Sequence, residues 1–336
     1  MSELRQDLVS GDWIIMASER AKRPHDLLRK AKRAPSPKRT CPFEDLEKSG
    51  NVPLRARYPA KGKWQIAVIR NRYPAVRAED RCAMGMRQGP YSYIEGIGHH
   101  DLVITRSHTK NFASLSLSEA VSLLELIQRM YRRFANDGCS RYVSAFANWG
   151  SMAGASVYHP HYQLLALPIV PPDVAHSLEG SKSYFTKHHA CVHCDMLRFE
   201  HEAGTRIIEE NALALAVTPF VSRQPFEVRV YPASHPPSFE ATPRRVLREV
   251  ARALQSVLRR MKRFLYDPDY NFFIHTAPLE NGARYRHYHW HIEVFPKVSI
   301  PAGFELSTGV DINAVMPEEA AAILRGERKG ARIRNV

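Results

Sequence analysis

The chain is poor in cysteine, with five in 336 residues. So small and odd a number argues against a disulfide scaffold and fits a reducing, cytoplasmic compartment. Cys82 and Cys139 have no partner suggested by spacing and read as inert. Long hydrophobic runs are also missing. None approaches the roughly 18 residues of a membrane span. The start, Ser2-Glu3-Leu4-Arg5-Gln6-Asp7, is charged, so no secretory signal is expected. Acidic residues are in deficit: 34 Asp+Glu against 48 Lys+Arg leave a formal charge of +14. That excess favours anionic partners such as nucleotides, sugar phosphates or nucleic acid. Neither an aromatic–basic RNA motif nor a helix-turn-helix pattern is found, which argues against nucleic acid. Part of the charge is local. Arg29, Lys30, Lys32, Arg33, Lys38 and Arg39 read as a solvated loop, and Arg325, Arg328, Lys329, Arg332 and Arg334 as a tail.

What is present is globular composition, 44% hydrophobic and 24% charged. At about 150 residues per domain the length suggests two domains. The order of features is duplicated. In the first half Cys41-Pro42-Phe43-Glu44 precedes a strand at Leu102–Ile104 and Ser107-His108. Ser116 and Glu119 then form a capping box, with Ala120, Val121, Leu124, Ile127 and Tyr131 at helical spacing. Val143–Phe146, His159-Pro160-His161-Tyr162-Gln163 and a strand from Leu164 follow. In the second half come Cys191-Val192-His193-Cys194, the strand Phe226–Val230 and Ser234-His235. Thr242-Pro243 reads as a helix start with Thr242 as cap, followed by a stripe from Val246 to Met261. Phe272–Ile274, His287-Tyr288-His289-Trp290-His291 and Ile292–Phe295 close the series. His108 to His159 spans 51 residues and His235 to His289 spans 54. The pattern implies two copies of one α+β unit, each a mostly antiparallel sheet carrying a helix, with a boundary near 171–185.

A C-x-x-C with two distant histidines is a tetrahedral set suited to Zn²⁺. Cys191, Cys194, His235 and His289 supply it. Cys41, Glu44, His108 and His159 offer a second set, with a carboxylate in place of one thiolate. The plainer alternative makes Cys41 a small buried apolar residue and the histidines ordinary surface ones. On an extended segment side chains alternate, so His159, His161 and Gln163 share a face. Before them runs Gly150, Ser151, Ala153, Gly154, Ala155 and Ser156, small residues whose backbone amides can approach an anion. Beside such a loop a neutral imidazole can attack phosphorus, and the Gln163 amide can donate to the phosphoryl oxygen. Two metal ligands and a packing glutamine are the alternative. Arg20 and Arg23 read as phosphate clamps or as solvated surface charge.

These residues resemble the galactose-1-phosphate uridylyltransferases and the related ADP-glucose phosphorylases, of the histidine-triad superfamily. The resemblance covers about residues 5–325. It rests on Arg20-Ala21-Lys22-Arg23-Pro24, Cys41-Pro42-Phe43, Asn71, Asn148 through Gln163, Pro225-Phe226-Glu227, His275-Thr276-Ala277-Pro278, His289-Trp290 and Gly303-Phe304-Glu305. It implies two tandem histidine-triad-like domains, 1–175 and 176–336. It implies His161 as the nucleophile, with UMP moving from UDP-glucose to galactose 1-phosphate through a nucleotidyl-histidine. ADP-glucose phosphorolysis, or chemistry on dinucleoside polyphosphates, is the alternative. Gln163 and Ser156 would contact the phosphoryl group, Arg20, Arg23 and Asn148 the phosphates, Asn71 the nucleoside and Glu305 the sugar. His159 would be structural, holding the strand that carries His161. His275, His289 and His291 also match the iron-site histidines of some uridylyltransferases. The two sets share His289, and the thiolates favour zinc. A homodimer is the family expectation.

Overall fold

The computed structural model describes residues 2–22, 33, 35–279 and 282–327. Arg23, most of the basic loop and the end of the basic tail lie outside them. In chain order the strands of the first half are β1 (Ser2–Gln6), β2 (Trp13–Ala17), β3 (Ala56–Tyr58), β4 (Ile66–Arg70), β5 (Gly85–Gln88), β6 (Tyr91–Ile94), β7 (His99–Thr105), β8 (Tyr142–Trp149) and β9 (His161–Leu167). Those of the second are β10 (Ile207–Asn211), β11 (Ala214–Val217), β12 (Val228–Pro232), β13 (Tyr270–His275), β14 (His291–Pro296) and β15 (Ile312–Asn313). The helices are α1 (Leu117–Ala135), α2 (Pro172–His188), α3 (Val192–Ala203), α4 (Arg244–Phe264), α5 (Gly303–Thr308) and α6 (Pro317–Arg325). The fold is α+β, and among the described residues no helix is long and apolar enough to cross a membrane.

Ten strands form one antiparallel sheet in the order β10-β11-β12-β14-β13-β8-β9-β7-β4-β3. The halves meet where β8 pairs with β13, Phe146 opposite Phe273 and Asn148 opposite Asn271. Strand alternation divides every side chain between two faces. One face presents Val143, Ala145, Tyr162, Leu164, Phe272, Ile274, Ile292 and Val294 to α1 and α4 as a single apolar core. The other carries His161 and Gln163 on β9, Asn148 on β8, Asn271 on β13, and His291 and Glu293 on β14. The same alternation therefore builds the core and presents the polar groups.

The α1 start matches its reading: Ser116 accepts the Glu119 amide and Glu119 reaches back. The α4 start does not. Thr242 donates its hydroxyl to the Ser238 carbonyl, and Pro243 stands at the cap position with no side-chain cap. Burial of the α4 stripe holds that helix without one. The domain boundary suggested by the sequence falls within α2.

The pair β1–β2 joins β15 in a small separate sheet against the second half. Buried Arg5 anchors it, donating to the Phe220 carbonyl at 2.9 Å and pairing with Glu318 at 3.1 Å. Its guanidinium also lies 4.1 Å from the Phe220 ring centre. One cysteine expectation is overturned. Cys82 and Cys139, 57 residues apart, form a disulfide between the segment before β5 and the turn after α1. Spacing could not show this, because the contact is made by the return of β7 past the end of α1.

Candidate active site and metal centres

The two predicted metal sets are the two groups of converging ligands among the described residues. In each, the four donor atoms lie within 4.8 Å of one another. At the first, His108 Nδ1 is 2.9 Å and His159 Nδ1 3.5 Å from Glu44 Oε1, and Cys41 Sγ is 3.6 Å from His159 Nδ1. The far nitrogens are occupied: His108 Nε2 donates to the Ser36 carbonyl and His159 Nε2 to the Thr105 carbonyl, both at 2.8 Å. A carbonyl only accepts, so each Nδ1 of the neutral ring points a lone pair inward. His108 Nδ1 and Glu44 Oε1 are buried with no hydrogen-bond partner. Two facing lone pairs repel unless a cation or proton lies between them. The donor set therefore fits a metal ion.

The second centre repeats this construction. His235 Nε2 donates to the Tyr288 carbonyl at 2.8 Å and His289 Nε2 to the Pro232 carbonyl at 3.0 Å. Both turn Nδ1 toward the thiols, and Cys194 Sγ lies 3.6 Å from His289 Nδ1. The hydrogen bond from Cys194, then those from His235 and His289, hold the Cys191 thiol well below its ordinary pKa. A thiolate poised against imidazoles is a zinc-type donor set. His289 thus faces the cysteines. His275 and His291 stack on each other 5.4 Å apart, outside this ligand set.

His161 opens β9, directly after the ligand His159 and Pro160. It is 8% exposed, and burial lowers its pKa below the ordinary value. Its Nδ1 donates to the His159 carbonyl at 2.9 Å. Among the described residues no hydrogen bond engages Nε2, which carries a lone pair in the neutral ring. The Phe43 ring packs against both His159 and His161, with centroids 5.8 and 5.4 Å away. The first metal centre and the imidazole are consequently parts of one rigid block.

The small-residue loop folds more tightly than an anion cradle. Gly150 and Gly154 take φ of +87° and +83°. The Ala153 and Ala155 amides bond to the Gly150 carbonyl, and the Gly154 amide to Ser151. The Met152 amide donates to Asp269 at 2.8 Å. These four amides are already engaged, so the expected backbone cradle is not formed by them. Side-chain amides lie beside the loop. Asn271 donates to the Ala153 carbonyl and to Asn148 Oδ1, each at 2.8 Å. The Asn148 oxygen is thereby used, leaving its NH₂ as the free end. Ser156 is exposed in the bend before His159. Gln163 Oε1 lies 3.0 Å from His100 Nε2, which is 3.2 Å from Asn71 Nδ2. Arg20 stands exposed on the turn Ser18–Lys22 after β2. Glu305 accepts the Ala302 amide at the start of α5 and lies near Asp311. Among the described residues, the hydrogen bonds that tie Asn71, Asn148 and Gln163 into the sheet do not extend to Arg20 or Glu305.

Sequence reasoning missed His100, Asp269 and Asn271. The Gly150 turn and the Asn148 pairing depend on the second half, across the β8–β13 joint. The polar run Asp267 to Asn271 was the available signal. The second half also carries a counterpart of the His161 strand. His291 Nδ1 donates to the His289 carbonyl at 3.2 Å, repeating His161 on His159. Glu293 stands where Gln163 would be, ion-paired with Arg223 at 2.6 Å and Arg229 at 3.2 Å. The counterpart position is thus held by an ion-paired carboxylate, which lines a cavity with His275 and His291.

A buried imidazole with its Nδ1–H anchored, set beside oriented amides on a duplicated sheet, suits nucleotidyl transfer. Comparison with known proteins narrows this. A family model described as a domain of unknown function (DUF4921) matches residues 59–332. ADP-glucose phosphorylase of Arabidopsis thaliana is 33% identical over 96% of this chain and 92% of its own length. Galactose-1-phosphate uridylyltransferase of Thermotoga maritima is 27% identical over 97% and 98%. A crystal structure of an Arabidopsis thaliana ADP-glucose phosphorylase with bound ADP-glucose aligns at a TM-score of 0.83 and 30% identity, covering 97% of this chain and 99% of that one. The chain belongs to the galactose-1-phosphate uridylyltransferase family.

Proposed function

We propose that the chain moves a nucleotidyl group from a nucleotide sugar to a phosphate acceptor through a covalent intermediate on His161 Nε2. One observation carries this reading: His161 Nδ1 is anchored on the His159 carbonyl, which turns Nε2 to the site, and burial, by lowering the pKa, favours the neutral ring with a lone pair there. Nε2 attacks the α-phosphorus, the N–P bond forms, and the bond from phosphorus to the sugar 1-phosphate oxygen breaks. The His159 carbonyl stabilises the positive charge that develops on the ring. Gln163, the free NH₂ of Asn148 and the Ser156 hydroxyl donate to the phosphoryl oxygens. An acceptor oxygen then displaces the imidazole by the reverse geometry, a ping-pong course. The resemblance assigns Asn71 to the nucleoside, Arg20 and Arg23 to the phosphates and Glu305 to the sugar; Arg23 is outside the described residues.

Zinc is the proposed ion, held by Cys41, Glu44, His108 and His159 and by Cys191, Cys194, His235 and His289. Bound there, the ion would be structural, with His159 and its co-ligands holding the start of β9 and so fixing His161. The proposed domains, 1–175 and 176–336, each carry one such centre, and the proposed assembly is a homodimer.

Two donors are proposed. UDP-glucose, with a hexose 1-phosphate such as galactose 1-phosphate as acceptor, follows from the motif resemblance. ADP-glucose, with inorganic phosphate as acceptor, is favoured by the higher identity to the phosphorylase, 33% against 27%. Intact mass spectrometry after incubation with each donor separates them. A UMP or AMP adduct is expected on the wild type and none on His161→Ala. An adduct that persists on His161→Ala would remove His161 as nucleophile.

A further inference from the structure

Gln163 can stabilise a phosphoryl oxygen only if its NH₂ end faces the site. Its amide orientation is therefore a chemical requirement, and the neighbours decide it. The Ala75 amide donates to His100 Nδ1 at 3.0 Å. A backbone N–H cannot accept, so Nδ1 carries a lone pair and the ring proton sits on Nε2. Two groups approach that Nε2–H: Gln163 Oε1 at 3.0 Å and Asn71 Nδ2 at 3.2 Å. Asn71 is itself oriented, because the Tyr73 amide donates to its Oδ1 at 3.0 Å. Its NH₂ then faces His100, and two N–H groups cannot bond to each other. The proton of His100 goes to Gln163 Oε1.

Strand register supplies the direction. On β7 and β9, Ile104 stands opposite His161, Leu102 opposite Gln163 and His100 opposite Leu165. His100 is thus on the far side of Gln163 from His161. With the Gln163 oxygen bound to His100, its NH₂ is turned toward the nucleophile. The second half shows the contrast: at the matching place Glu293 is acceptor-only and is held by Arg223 and Arg229.

We propose that His100 is a positioning residue that sets the Gln163 amide as a donor toward His161, and so makes this position select an acceptor-only group, a phosphoryl oxygen. The segment from Asn71 to Ala75 belongs to the device, since its amides set the His100 proton and the Asn71 orientation. The kinetic consequence rests on the proposed nucleotidyl transfer; the orientation does not.

The test has two parts. Neutron diffraction on the deuterated wild-type protein reads the orientation without any activity. Deuterium is expected on His100 Nε2 and not on Nδ1, with the Gln163 ND₂ toward His161. Deuterium on Nδ1, or the opposite amide, would overturn the proposal. Single-turnover nucleotidylation with ADP-glucose and UDP-glucose reads the consequence. His100→Leu is expected to lower the rate by about 10-fold or more with KM nearly unchanged. His100→Gln, which returns an N–H near the Nε2 position, recovers most of the loss. In a Gln163→Ala background His100→Leu costs nothing further. Equal losses in both backgrounds would make His100 merely structural and sink the proposal. If the nuclear map is as expected and the wild type forms no adduct, the transfer reading fails and the orienting role stands.

Discussion

Gly150 combines a φ of +87° with a carboxylate, that of Asp269, lying where a Cβ would stand. Asp269 is buried, accepts the Met152 amide and pairs with Arg33 at 3.2 Å. Any side chain at 150 must both strain the backbone and displace that carboxylate. Gly150→Ala is therefore expected to slow nucleotidyl transfer by roughly 100-fold, in line with a displacement of about 1 Å at a reacting centre, with bound metal unchanged. A single-turnover rate beside a metal assay checks it. His275 gives a pH prediction. Burial in the second half holds its pKa down to about 4, against about 6.5 unfolded. The folded state then binds fewer protons between these values. Stability is full above about pH 6.5 and falls as pH drops toward 4. His275→Gln should lessen the loss between pH 7.5 and 4.5 by about 2 kcal/mol in urea unfolding. An unchanged loss would show that other groups carry it. His161 and Gln163 were legible in the sequence because alternation along one strand is local. His100 and Asp269 were not, because nothing in spacing reports a hydrogen bond made across strands.

Among the elements, β9 and β14 share one design: a ligand histidine just before the strand, a second histidine at its start, and an amide or carboxylate two residues on. Each ligand histidine also hands its Nε2–H to the end of a neighbouring strand, Thr105 on β7 or Pro232 on β12. A metal on Nδ1 would therefore clamp two strand ends together. Cys191→Ser is expected to lose one equivalent of metal and roughly 10 °C of melting temperature, with the first centre retained. Elemental analysis and a thermal melt of wild type and variant decide it. Retained metal and an unchanged melt would dismiss the second centre. The helix stripes of α1 and α4 were readable at this scale, because burial at helical spacing marks the core face. The α4 cap is Pro243 and not Thr242, since a Thr-Pro start is compatible with either residue at the boundary.

For the molecule as a whole, the ten-stranded sheet makes one face the core of both halves and the other the site face of both. Asn271 and Asp269 reach from the second half to hold Asn148 and the Gly150 turn of the first. Cys82–Cys139 adds a covalent tie outside the sheet. Opening a loop of that length should cost roughly 4 kcal/mol in the loop-entropy account. The double variant Cys82→Ser/Cys139→Ser is accordingly expected to unfold at lower denaturant than the oxidised wild type and to match the wild type treated with a thiol reductant. Equal midpoints for all three would show that the tie adds no stability.

The sequence by itself determined the duplication, the α+β class, the two ligand sets and the strand carrying His161 and Gln163. Those features follow from residue type and from periods of two or 3.6 residues, which are local properties of the chain. Tertiary structure alone decided that the half-sheets join, that Cys82 meets Cys139, that the loop amides are engaged and that His100 and Asn271 orient the donors. Each depends on which distant segments lie side by side. A hydrogen bond of about 3 Å is set by that packing, and local periodicity carries no record of it.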